Sequence, residues 1–291
     1  MARIIQKPTN TEEDQPVKKK NVLFISGQGC QTIDEALGES WQDSFEFIPL
    51  ENDSFEGQAR RLAQKIIDDG RSDLHIVGHS AGCIVAMLTA IFIKEMTGGL
   101  CGVRRLTLLA PPALLGQQLP WSVTWKMLRN PRYWTKGLPG ARPFKITRGD
   151  SDRLMFGPDT PDEIKNRFFD HVSKVWFPRL ITENFLSPFT AWKHFDWATK
   201  LKGIDMLVMG GTCDGLIPLS LCKETAGRIG ALFMPINGAS HLGMLFGKSG
   251  ETLLKLLMTE REYPTWTFQG IKSGQGQDKN PASIPTSQAF A

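Results

Sequence analysis

A serine between two glycines is the first feature of this sequence that could do covalent chemistry. The segment Gly78-His79-Ser80-Ala81-Gly82 follows a short apolar run, 74–77, and opens a longer one that begins at Ala81. Runs of these lengths predict a buried strand and then a helix, with Ser80 in a sharp turn between them. The small residues at 78 and 82 would let strand and helix approach closely. The turn would then expose the Ser80 hydroxyl as a candidate nucleophile.

A serine hydroxyl is a weak nucleophile near neutral pH, so it needs a base, and the base needs a carboxylate to orient it. Five histidines are candidates for the base. His75 lies in the predicted strand, and His79 lies in the turn, where its ring is expected to point away. His171 and His194 fall in a central region without strands. His241 lies in a loop after the apolar run 231–236, from which it could reach Ser80, and it is the predicted base.

Asp214 is the candidate carboxylate. It follows the apolar run 206–209 and precedes Gly215, although an Asp-Gly pair also forms turns without any catalytic role. The chain order favours catalysis, because Ser80, Asp214 and His241 each lie just past the C-terminal end of a predicted strand. Open α/β sheets place their functional sites at that edge.

Strands and helices alternate in two parts of the sequence, which predicts an α/β fold with a mostly parallel central sheet flanked by helices. The alternation stops near residue 111 and resumes near 203, so we predict one core built from 21–111 and 203–269. The polar residues 1–20 form an N-terminal tail. Residues 270–291, rich in Gly, Gln, Ser and Pro, are predicted to be disordered. The predicted strands are 21–26, 45–50, 74–77, 106–110, 206–209 and 231–236, and the predicted helices are 55–69, 81–96 and 219–229.

The intervening segment 112–202 differs in composition from the core. It holds 15 of the 27 aromatic residues and carries 15 Lys and Arg against 8 Asp and Glu. Its helical patterns have no strand partners, which predicts an inserted helical cap over the sheet, with helices near 121–128, 161–175 and 189–199. Its large aromatic residues could line an apolar pocket or form the core of the cap, namely Trp121, Trp125, Trp134, Trp176, Phe177, Trp192 and Trp197.

Composition excludes several classes of protein. The net charge of +4 is small and scattered, which argues against nucleic acid as a partner. The longest nearly apolar stretch, 81–93, is too short to span a membrane, and the polar N-terminus has no apolar signal core. A cytoplasmic location is therefore expected. The five cysteines have no Cys-x-x-Cys pair, which indicates reduced, mostly buried thiols and neither a disulfide framework nor a zinc site.

The three candidate catalytic segments together resemble those of an α/β-hydrolase-fold protein with a cap domain. The resemblance covers about 21–111 and 203–265, through Gly78-His79-Ser80-Ala81-Gly82, the turn 214–218 and the loop Gly238-Ala239-Ser240-His241. It implies Ser80 as the nucleophile, His241 as the general base and then acid, and Asp214 as the orienting carboxylate.

The oxyanion loop departs from the pattern of these relatives. They often have His-Gly after the first core strand, where this chain has Ser26-Gly27-Gln28-Gly29. Backbone donors could still serve, because the N–H groups of Gln28 and Ala81 would bind a developing oxyanion without help from any particular side chain.

The sequence therefore predicts a serine hydrolase that cleaves an ester, thioester or lactone of a hydrophobic small molecule, which could carry an anionic group. No metal or organic cofactor is required. Two alternatives stay open: a non-hydrolytic enzyme on the same fold (an acyltransferase, carbon–carbon hydrolase or lyase, in a biosynthetic pathway), or a ligand-binding protein with an idle triad. The fold does not decide between them.

Overall fold

A computed structural model of the chain describes residues 21–27, 30, 33–99, 102–112, 155–157, 160–174 and 196–259. Three sequence predictions lie outside the described residues: the oxyanion donor Gln28, both tails, and most of the cap. The boundaries predicted for the cap therefore stay a prediction.

Six strands form one sheet in the order β2-β1-β3-β4-β5-β6, and all five neighbouring pairs are parallel. The predicted parallel sheet flanked by helices is confirmed. The strands are β1 (Val22–Ile25), β2 (Glu46–Ile48), β3 (Leu74–His79), β4 (Val103–Leu109), β5 (Asp205–Gly211) and β6 (Leu232–Ile236).

Helices follow the strands as the alternating pattern predicts, and three of the predicted helices match α3, α4 and α7 closely. Within the predicted cap, α5 matches the helix expected at 161–175, and only the end of the helix expected at 189–199 is described. The short helices α1 and α2 and the last helix, α8, had no prediction. In chain order the helices are α1 (Ile33–Leu37), α2 (Glu39–Ser44), α3 (Phe55–Asp68), α4 (Gly82–Met96), α5 (Asp162–Lys174), α6 (Trp197–Leu201), α7 (Leu219–Ile229) and α8 (Gly247–Thr259).

Helix α4 is apolar around its whole circumference because it is buried on all sides. Every residue from Gly82 to Ile93 is buried, and the helix packs on β1, β3 and β4 and against α3 and α6. Its apolar run therefore belongs to the core. Trp197, at the start of α6, is also buried in this core. In the part of the chain that the structure describes, no helix has the length and apolar character needed to cross a membrane.

The strand order places a crevice between the carboxyl ends of β1 and β3. After β1 the chain moves outward to β2 and then returns to the other side of β1 to form β3. At such a switch point the loops leave in opposite directions, and ligands of open α/β sheets bind in the gap between them. Ser26 and Gly27 follow β1, and Ser80 follows β3, so the switch point is the edge where the sequence predicts the candidate nucleophile.

Two histidines on β3 should make the protein acid-sensitive. His75 and His79 are almost fully buried, and burial lowers the pKa of each to about 3. Between pH 6.5 and 3 the unfolded chain binds protons that the folded chain excludes, so stability falls as pH falls. The expected slope is up to about 1.4 kcal/mol per pH unit for each imidazole. Urea unfolding at several pH values measures it.

The variant His75→Gln isolates one of these contributions. Glutamine can still reach the Thr107 hydroxyl, which lies 2.9 Å from His75 Nε2, but it does not titrate. The variant should lose less stability than the natural protein between pH 6.5 and 4. Equal pH slopes for the two proteins would show that His75 is not held neutral by burial.

Candidate active site

Ser80 sits in a strained turn immediately after β3. Its φ of 52° lies in the left-handed region, which a residue with a Cβ adopts at a cost of about 1–3 kcal/mol. The surrounding backbone holds this conformation: the Ser80 N–H donates to the Leu109 carbonyl at 2.8 Å, and the Ser80 carbonyl accepts from the Cys83 N–H at 2.9 Å. The turn leaves Ser80 partly exposed between two buried neighbours. This is the geometry of a serine presented for attack.

The glycines around Ser80 are required by close backbone contacts. A Cβ at Gly82 would lie 2.3 Å from the Ile25 carbonyl oxygen, and one at Gly78 would lie 2.7 Å from Cys83 Cα. A Cβ at Gly27 would lie 2.9 Å from Ser80 Cβ. The turn after β3 is therefore packed directly against the end of β1.

Substituting Gly82 should damage both stability and site geometry. In Gly82→Ala the new methyl group would meet main-chain atoms, which cannot rotate away, so we expect a loss of about 1–3 kcal/mol or more. The matched control is Gly227→Ala, at an exposed position inside α7 where a Cβ would meet nothing within 4 Å. That change should stabilise by about 0.5–1 kcal/mol. Thermal denaturation of both variants tests the contrast, and a neutral Gly82→Ala would contradict the packing.

Asp214 and His241 form a buried pair at the same edge of the sheet. Asp214 Oδ2 lies 2.9 Å from His241 Nδ1. The other carboxylate oxygen, Oδ1, accepts from the N–H groups of Leu216 at 2.9 Å and Ile217 at 2.8 Å. The carboxylate is thus held in one orientation by its own loop, and it can hold the His241 ring with Nε2 free to accept a proton.

A segment from the predicted cap region holds the loop that carries His241. The carbonyl of Met155 accepts from the Leu242 N–H at 2.6 Å and from the Ser240 hydroxyl at 3.2 Å. The Ser240 hydroxyl also accepts from the Gly243 N–H at 3.1 Å. The sequence alone did not predict this contact, because Met155 and Ser240 lie 85 positions apart.

His79 connects the turn after β3 to the His241 loop. The sequence predicted that its ring points away, but this expectation is wrong: His79 Nε2 lies 3.1 Å from the main-chain oxygen of His241, and the two rings are 5.0 Å apart. No hydrogen bond joins Ser80 to the His241 ring among the described residues. Such bonds are often long before substrate binds. The bond from His79 Nε2 is a direct hydrogen bond between the β3 end that leads into Ser80 and the loop that carries His241.

One of the two predicted oxyanion donors can be located. Ala81 is buried directly after Ser80, and its N–H has no acceptor within the described ranges. An N–H group in this position is available to a developing oxyanion. Gln28 lies outside the described residues, although the preceding Gly27 is buried against Ser80.

Three of the five cysteines are kept in the unreactive thiol form by burial. Burial raises the pKa of the Cys30 and Cys222 thiols to about 12 and holds the pKa of the Cys83 thiol well above its usual value, so these thiols stay protonated. Cys213 is exposed, and Cys101 lies outside the described residues. Across the described ranges, no group of three or more His, Cys, Asp or Glu side chains could hold a metal ion.

The chain matches the model of a known protein family over most of its length. The model of the alpha/beta hydrolase family matches residues 27–251, which include Ser80, Asp214 and His241. The chain belongs to the α/β-hydrolase family. No curated protein matches this α/β-hydrolase by sequence.

Solved structures share the fold of this α/β-hydrolase at low sequence identity. A hydrolase from Oleispira antarctica is 14% identical, with a TM-score of 0.57 over 85% of this chain and 92% of that one. An esterase from Exiguobacterium antarcticum is also 14% identical, with a TM-score of 0.56 over 84% and 92%. A bromoperoxidase from Bacillus anthracis is 17% identical, with a TM-score of 0.53 over 83% and 92%. At these identities the likeness concerns the fold alone.

Proposed function

We propose that this α/β-hydrolase is a serine hydrolase that cleaves an ester, thioester or lactone of a hydrophobic small molecule. One observation carries the proposal: the buried Asp214–His241 pair lies at the same sheet edge as a serine held at a φ of 52°. A structural role alone does not account for both a strained serine and a carboxylate-bound histidine at a strand switch point. A cytoplasmic location remains an expectation from the sequence.

The first half of the reaction transfers the acyl group to the enzyme. His241 Nε2 takes the proton from Ser80 Oγ as the oxygen attacks the acyl carbon, and the carbonyl oxygen becomes an oxyanion. The N–H groups of Ala81 and Gln28 stabilise it, each by about 3 kcal/mol. His241 then gives its proton to the leaving oxygen or sulfur, and the bond to the leaving group breaks.

The second half releases the acid and restores the enzyme. His241 takes a proton from a water molecule as that water attacks the acyl-enzyme, and the proton then returns to Ser80 Oγ. Asp214 holds the His241 ring in place and stabilises the imidazolium that forms twice in each cycle. No metal or organic cofactor takes part in these steps.

The preference for a hydrophobic substrate rests on the predicted cap. Its aromatic residues could supply an apolar surface above Ser80, and its excess of Lys and Arg could attract an anionic group on the substrate.

An acyl-enzyme trap tests the proposal. The protein is mixed with p-nitrophenyl esters of short to long acyl chains, with thioesters and with lactones, then quenched in acid and analysed by intact mass. We expect a burst of nitrophenol equal to the enzyme concentration and an acyl adduct on the peptide that contains Ser80.

Repeating the reaction with a competing alcohol separates the outcomes. Free acid as the main product would support hydrolysis. An ester of the added alcohol as the main product would instead show that the protein is an acyltransferase. A folded protein that forms no adduct with any of these compounds would contradict the proposal.

A further inference from the structure

One carbonyl oxygen binds both of the residues that flank His241. The Met155 oxygen accepts a hydrogen bond from the Leu242 N–H at 2.6 Å and another from the Ser240 hydroxyl at 3.2 Å. A carbonyl oxygen has two lone pairs, so these two donors use its whole capacity. The main chain of His241 is therefore held on either side by a single atom, which belongs to the chain between β4 and β5.

The Ser240 side chain is built into this contact. It is 2% exposed, and its hydroxyl also accepts from the Gly243 N–H at 3.1 Å, so it donates and accepts at once. The two main chains are close together here, because a Cβ on Gly243 would lie 2.9 Å from the Gly157 nitrogen. The His241 loop and residues 155–157, which we call the anchor segment, are thus packed backbone against backbone.

The anchor segment is itself fixed in the core. Phe156 is 4% exposed, and its ring meets the edge of Phe168 of α5, with 5.3 Å between the ring centroids. The Gly157 carbonyl accepts from the N–H of the buried Thr160 at 3.1 Å. A closely packed ring leaves the main chain beside it little room to move. The Met155 oxygen, one residue before Phe156, is therefore a fixed point for the His241 loop.

We propose that Ser240 and Phe156 are positioning residues through which the anchor segment sets the place of the catalytic base. The inference rests on the proposed serine-hydrolase function, in which His241 takes the proton of Ser80. Phe156 fixes the Met155 oxygen, and Ser240 fixes the main chain of the base to that oxygen. Both residues act through His241.

His241 is held by contacts from three parts of the fold. Asp214 lies 2.9 Å from its ring Nδ1, His79 Nε2 lies 3.1 Å from its main-chain oxygen, and the anchor segment bonds to its neighbours in the chain. Residues 239–242 form neither helix nor strand, so these contacts determine where Nε2 lies. A displacement of about 1 Å at a reacting group can lower a rate about 100-fold. Part of the predicted cap region thus contributes to the proton transfer from Ser80.

Ser240→Ala is the main test. The change removes one of the two bonds to the Met155 oxygen and the acceptor of the Gly243 N–H, while the Leu242 bond stays. The readouts are the rate of labelling by a fluorophosphonate and the kcat and KM for p-nitrophenyl butyrate. We expect kcat and the labelling rate to fall about tenfold, with KM changed less than about threefold, because the base moves but no substrate contact is lost.

The matched control is Thr212→Val, at the other end of the same loop. The Thr212 hydroxyl accepts from the Gly238 N–H at 2.8 Å, so this change also removes one bond between a hydroxyl and the loop. It leaves the bonds to Met155 intact, and kcat should stay within about twofold of the natural value. Urea unfolding measures the stability of both variants. Equal losses of kcat in the two variants, or no loss in Ser240→Ala, would overturn the proposal.

A double-mutant cycle tests the part of Phe156. Phe156→Ala leaves a cavity that lets the Met155 oxygen move, whereas Phe156→Leu fills much of that space. We expect kcat to fall about 10- to 50-fold in the first variant and less than about threefold in the second. Ser240→Ala should have a smaller effect in the Phe156→Ala background than alone, because the bond it removes is already weakened. Independent effects of the two changes would overturn the proposal.

Hydrogen exchange followed by mass spectrometry tests the contact without catalysis, and it decides the matter should Phe156→Ala not fold. In Ser240→Ala the amides of 238–246 should exchange several-fold faster than in the natural protein, while those of β5 keep their rate. Unchanged exchange at 238–246 would overturn the proposal. A natural protein that the fluorophosphonate does not label would instead contradict the hydrolase function, and the exchange rates would still decide the contact.

Discussion

Ser80→Ala is expected to abolish covalent labelling by a fluorophosphonate and to lower ester hydrolysis by about 10⁴- to 10⁶-fold. The probe reacts only with an activated serine, and the variant removes the oxygen that attacks. The loss is large because the members of a triad act as a unit, so removing one removes most of their joint effect. Intact mass spectrometry after incubation measures the adduct, and a p-nitrophenyl ester assay measures the rate.

The matched control is Ser220→Ala, an exposed serine in α7. This variant should keep both the adduct and the rate of the natural protein. Labelling that persists in folded Ser80→Ala would place the nucleophile elsewhere. Loss of labelling in both variants would point to an indirect effect on folding, which circular dichroism and thermal denaturation detect.

Asp214→Asn is expected to lower kcat about 10⁴-fold while leaving the fold intact. Asp214 Oδ1 accepts from two main-chain N–H groups, those of Leu216 and Ile217. The oxygen of an asparagine must therefore take that place, and its NH₂ group must face His241 Nδ1. His241 would then keep its proton on Nε2, where it cannot accept the proton of Ser80. KM should change little, because the substitution alters the His241 tautomer and not a group that binds substrate.

Activity assays of Asp214→Asn and Asp205→Asn side by side check this expectation. Asp205 begins β5, at the end of the strand opposite the site, and pairs with Arg105 at 2.7 Å. Its conversion to asparagine should leave kcat within about twofold, because Asp205 lies at the far end of β5 from Asp214 and His241. If Asp214→Asn kept near-natural activity, His241 would not depend on this carboxylate for its tautomer.

Local patterns in the sequence were sufficient to predict most of the fold. The apolar runs for five strands gave their positions within a few residues, because the strands of a parallel sheet covered by helices are largely apolar. The prediction for β4 began at 106 instead of Val103, since Arg104 and Arg105 interrupt the apolar run. Arg105 is nevertheless buried, through its bond to Asp205 on the neighbouring strand. A partner 100 positions away leaves no local signal.

The candidate catalytic residues were also accessible from the sequence, because each lies just past the end of a predicted strand. Ser80 has flanking glycines, and Asp214 and His241 follow apolar runs in the order that the fold requires. Parallel strands bring these three loops to one edge of the sheet. The identity of the residues and their approximate meeting place thus follow from local composition and chain order.

The tertiary structure alone decided how these residues are held. The bond from His79 to the His241 carbonyl and the bonds from the His241 loop to Met155 join segments far apart in the chain. Their partners are main-chain oxygens, which every residue possesses, so no residue type signals them in advance. Hydrophobic patterns determine which segments become buried, whereas the direction of a buried hydrogen bond depends on the final packing of the backbone.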